Sequence, residues 1–170
     1  MSKSILQSIA LFIVLALIQV LVCNNISIFG FATPYVFIYV ILRLPVTLHR
    51  NWVMLIGFLA GVIIDIFGNT AGMNALACTL LGAMRDPMIK LYVAHDDEIS
   101  DPVPSAKSLG PGVYLKYMFS MTLLFCLLVT FIEAFTLNNA LLSLYRAAGC
   151  TALTFVIMLG IDALATAKKD

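Results

Sequence analysis

The sequence predicts an all-α membrane protein, a compact six-transmembrane-helix bundle with both termini cytoplasmic. Three observations lead there. Of 170 residues, 62% are hydrophobic and only 11% charged, and the mean hydropathy is +1.03. A soluble domain of this length carries far more polar surface. The apolar residues fall into six runs, each close to the ~20 residues that a ~30 Å hydrocarbon core demands. Finally, when those runs alternate in direction, nine of the ten Lys and Arg residues land on one side.

The first run covers residues 5–22 behind Lys3. It imitates a signal peptide, but it is long for one and no clean small-x-small cleavage site follows, so it reads as a retained span. The second covers 26–44 and is interrupted by Pro34. The third covers 52–67 and the fourth 71–84. Both are short, so they tilt little, thin the bilayer or extend past these edges, and a re-entrant fourth segment stays open. The fifth covers 113–135 and the sixth 139–164.

Lys3, Arg43, Arg50, Arg85, Lys90, Lys107, Lys116, Lys168 and Lys169 share the side that the positive-inside rule makes cytoplasmic. The opposite loops are short and rich in Asn and Gly, which tolerate the backbone of tight reversals (Asn24-Asn25, Gly68-Asn69-Thr70, Asn138-Asn139). The long inner loop, 86–112, is expected to be irregular around the acidic and proline-rich stretch 95–104, with 87–93 lying along the inner interface. One integral membrane domain, 1–170, accounts for the chain. A net charge of +1 and the lack of a basic tract argue against nucleic acid. The four cysteines, at 23, 78, 126 and 150, form no CxxC pair and read as small hydrophobes. Neither cofactor nor metal is implied, and no HExxH, GxSxG or P-loop occurs. His95-Asp96-Asp97-Glu98 reads as a solvated acidic loop.

Two constellations stand out. Gly57, Gly61 and Asp65 recur every four residues and therefore share a helix face, with Gly72 continuing the small-residue theme. Small residues at this spacing let another backbone approach closely in a membrane. The second is a set of intramembrane charges: Asp65, Glu133 and Arg146 fall at similar depth near the outer face. Charges inside a bilayer tend to pair, so a cluster of the three is expected, as interhelical glue or as a binding or proton-handling site. Near the inner face Asp162 and Arg43 either pair or are solvated separately. Trp52 and Tyr35 are expected as interface anchors, and Tyr92, Tyr114 and Tyr117 at the inner edge.

The block Asn51 to Asp65, followed by Gly72-Met73-Asn74, resembles the MreD family of rod-shape-determining membrane proteins, in its Bacteroidetes-type form. The family pattern G-F-x-x-G-x-x-x-D with a later glycine is filled by Gly57, Phe58, Gly61, Asp65 and Gly72, and Pro34 also fits. The acidic loop at 95–104 departs from the family core. The resemblance implies a fold similar to the substrate-binding subunits of energy-coupling-factor transporters. It implies a non-enzymatic scaffold of cell-wall elongation in the bacterial inner membrane. The partners it implies are a bitopic MreC-like protein, the MreB filament, a SEDS glycosyltransferase and a class B penicillin-binding transpeptidase. The alternative reading is a small-molecule-binding membrane subunit of a vitamin or lipid transporter. An enclosed pocket near Asp65 and Arg146 favours that alternative; a filled interior with an apolar groove on its side favours the scaffold.

Overall fold

The computed structural model describes residues 11–23, 33–70, 72–92, 103–134 and 140–167. The described residues contain no strand. Among the described residues three stretches are long and apolar enough to cross a membrane: Arg50–Gly68, Pro111–Glu133 and Leu144–Leu164. A shorter apolar helix, Leu11–Leu21, precedes them. In chain order the elements are α1 (residues 11–23, closing in the π-helical turn Gln19–Cys23), α2 (Ile38–Leu42), α3 (Arg50–Gly68), α4 (Met73–Tyr92), α5 (Ala106–Leu109), α6 (Pro111–Ala134) and α7 (Ala140–Ala167).

The second apolar run departs most from expectation. Its described part is helical only over Ile38–Leu42, and Thr33 to Tyr35 is irregular. Proline chemistry explains both limits. Pro34 has no N–H to give, and Pro45 disfavours helical backbone at Leu44 before it. This partly unwound run is nonetheless the centre of the core, with Val36 through Leu42 all but sealed from the surface. Unwound backbone inside a membrane protein must find its partners within the protein. Gln19 supplies two of them: its Nε2 donates to the Pro34 carbonyl at 2.9 Å, and its Oε1 accepts from Val36 N–H at 2.8 Å. Thr154 Oγ1 accepts from Tyr35 N–H at 3.0 Å. At the far end Tyr117 OH donates to the Leu42 carbonyl at 3.4 Å, and Arg85 Nη2 donates to the Leu44 carbonyl. Phe125 packs edge-on against both Tyr35 and Phe37.

α3 and α4 form the most extensive helix pair. α3 ends because Asn69 takes the left-handed conformation, φ 51°, and the Asn69 and Thr70 N–H groups turn back to the Asp65 carbonyl. α4 overturns two expectations. The span drawn at 71–84 and the separate interfacial turn at 87–93 are one helix, Met73–Tyr92. Leu81, Arg85 and Ile89 recur every four residues and are all buried, so the charged tail continues the stripe that packs. Pro87 lies inside this helix and removes one N–H from its ladder.

The loop expected to be irregular over 86–112 is therefore helical up to Tyr92. It also carries α5, capped by Ser105 Oγ accepting from Ser108 N–H at 3.2 Å, and the first turn of α6. Pro111 opens α6, where a missing N–H costs nothing. Most of the acidic stretch, with His95, lies outside the described residues, as do Lys3, Asn24-Asn25, Asn138-Asn139, Lys168 and Lys169. Tyr114 and Tyr117 are buried within the protein. Trp52 is 60% exposed. Cys78, Cys126 and Cys150 are buried free thiols.

Candidate functional site

The glycine face is where α3 and α4 interlock. A Cβ on Gly57 would lie 2.7 Å from the Cys78 carbonyl oxygen. One on Gly61 would collide with the backbone of Asn74 and Ala75. Gly82 returns the contact from α4, where a Cβ would sit 3.1 Å from the Val53 carbonyl oxygen. Two helix backbones thus touch through three glycines, the close approach that small residues allow. Gly72 does not belong to this face. Nothing lies within 4 Å of where its Cβ would be, and its φ of +77° is what the turn into α4 requires.

Asp65 stands near the C-terminal end of α3, one turn beyond Gly61, and is 5% exposed. Its Oδ1 accepts from Asn74 N–H at 3.1 Å and from Asn74 Nδ2 at 2.9 Å, and its Oδ2 accepts from Ala75 N–H at 2.8 Å. Thr70 Oγ1 also donates to Oδ1. The amides of Asn74 and Ala75 belong to the first turn of α4, which has no intrahelical acceptor for them. A carboxylate from α3 therefore caps α4, and its charge opposes the positive end of the α4 dipole.

The cluster of three does not form. Asp65 makes its contacts with Thr70, Asn74 and Ala75, whereas Glu133 and Arg146 line a separate cavity of about 100 Å³ with Thr33, Tyr35, Thr130 and Cys150. The similar depth expected of the three does not by itself fix adjacency around the bundle. The other pair left open is made: Arg43 Nη1 lies 3.8 Å from Asp162 Oδ1. Tyr39 OH and Tyr114 OH both donate to that oxygen, at 2.7 and 3.0 Å, and Arg43 donates to the Tyr39 hydroxyl at 2.9 Å.

Three residues escaped the sequence reading. Gln19 was visible as the lone polar side chain among residues 9–22, late in the first run. Thr154 left no signal, since threonines elsewhere in α6 and α7 bond their own helix, as Thr122, Thr130 and Thr151 do. Arg85 looked like a loop cation. It is fully buried, with Nη1 3.7 Å from Asp86 Oδ1, and Nε and Nη1 have no hydrogen-bond partner. Among the described residues no group of three or more His, Cys, Asp or Glu gathers as a metal site.

The arrangement is that of an all-α protein with membrane-length helices whose polar groups are mostly engaged in holding helices together. No family model, curated protein or solved structure matches the chain.

Proposed function

We propose that the chain is a non-enzymatic scaffold of the cell-wall elongation machinery, an MreD-like protein of the bacterial inner membrane with six crossings and both termini inside. The observation that carries this reading is how the interior is used. The glycine face is spent on α3–α4 contact, and Asp65 is spent on capping α4. The polar space beside Glu133 and Arg146 is about 100 Å³. Small-molecule sites occupy ~300–1,000 Å³, which that space does not reach, and the hollow of about 420 Å³ beside Asp65 is an open surface depression rather than an enclosed chamber. A hollow of about 330 Å³ on the flank of the bundle is lined only by apolar residues. A stiff body with an apolar exterior is what a docking protein needs. The pattern Gly57, Phe58, Gly61, Asp65, Gly72 supplies the direction toward wall synthesis.

In this reading a bitopic MreC-like protein lays its membrane helix against the lipid-facing surfaces. MreB, a SEDS glycosyltransferase and a class B transpeptidase are reached through that assembly. The Gly57–Gly61 face stiffens the scaffold rather than receiving the partner. Purification of the tagged chain from native membranes in mild detergent tests it. Recovery of an MreC-like protein with wall synthases is expected, and depletion is expected to round the cells. Recovery with a retained small molecule and transport subunits, and without wall-synthesis proteins, sinks the proposal.

A further inference from the structure

The flank hollow lies between α1, the α2–α3 connection and α3, with Phe12, Ile41, Leu48, Ile56 and Ile63 among its walls. From Arg50 to Ile63 α3 rises about 20 Å, against ~15 Å for the hydrocarbon of one leaflet. The hollow, about 330 Å³ and lined wholly by apolar side chains, suits a hydrocarbon chain.

Its mouth is basic. Leu48, in the wall, is followed directly by His49 and Arg50, both exposed. Neither side chain has an ion pair or hydrogen bond among the described residues, whereas Arg43 is held by Asp162 and Arg85 by the Leu44 carbonyl. His49 precedes α3 without capping it, so the first amides of this 19-residue helix add donors at the same place.

We propose that this flank binds an anionic phospholipid, one acyl chain in the hollow and the headgroup phosphate on Arg50 and His49. The inference rests on the chain spanning a membrane and does not depend on the wall-synthesis reading. Basic groups at the end of an apolar groove complement such a lipid in both charge and polarity.

Trp52 is the sole tryptophan and sits four residues before Ile56, on the same helix face. The purified chain is reconstituted in phosphatidylcholine vesicles, and Trp52 fluorescence is quenched with trace brominated phosphatidylglycerol or brominated phosphatidylcholine. Phosphatidylglycerol is expected to quench at about fivefold lower mole fraction, the preference one guanidinium gives at an anionic surface. The preference is expected to collapse near ~1 M salt, where screening acts within ~3 Å. H49Q/R50Q is expected to abolish it while leaving phosphatidylcholine quenching unchanged, and R50K to keep it. Equal quenching by the two lipids in the unsubstituted protein overturns the proposal, as does a preference that survives in the double variant. Should that variant fail to reconstitute, the unsubstituted comparison and its salt dependence still decide.

Discussion

At the scale of single residues, the side chains that matter most mend backbone. Gln19 holds both a carbonyl and an N–H of the unwound stretch. Gln19→Leu keeps the bulk and orphans both groups, each costing ~1–3 kcal/mol when buried. A loss of about 2–4 kcal/mol is expected, read as a lower unfolding temperature in detergent. Asp65→Ala removes the cap of α4, worth ~0.5–2 kcal/mol in ordinary caps, with Thr70 and Asn74 losing their acceptor as well. Increased proteolysis or hydrogen exchange at the start of α4 checks it. Asp65 was legible as a residue that must find a partner. Which partner it found was not, because depth along a helix can be counted from sequence and azimuth around a bundle cannot. Gln19 was legible as an anomaly, but nothing in the sequence ties residue 19 to 34–36.

Between elements, the α3–α4 interlock sets the tolerance to substitution. Gly61→Ala drives a methyl into the backbone of Asn74 and Ala75, which no rotamer change relieves. Overpacking of this kind costs ~1–3 kcal/mol or more. Gly160→Ala meets open space on α7 and gains up to ~1 kcal/mol of helix propensity. Thermal unfolding of the two variants side by side is expected to give shifts of opposite sign. The glycine spacing and the extents of α3, α6 and α7 were legible because long apolar runs fix helices within a few residues. α2 was not, because the choice between helix and unwound chain was made by Gln19, Thr154 and the bracketing prolines. The length of α4 was hidden because a buried arginine reads as an inner-loop charge until Leu81, Arg85 and Ile89 are seen as one stripe.

For the whole molecule, the six crossings and inward termini of the proposal have a direct test. Alkaline phosphatase fused after Asn69 is expected to be active. A fluorescent protein fused after Asp170 is expected to glow, as it does when it folds in the cytoplasm. The reverse pattern breaks the positive-inside assignment.

The contact between Tyr35 and Thr154 spans 119 positions of chain. In synthesis from the N-terminus, the donor of that pair enters the bilayer long before its acceptor. α7 therefore works as a latch on the unwound stretch around Tyr35, closing it after every other described helix has been made. A nascent chain halted before residue 140 is expected to stay open to membrane quality-control proteases. The full chain escapes them, and pulse-chase half-lives of the two read the difference.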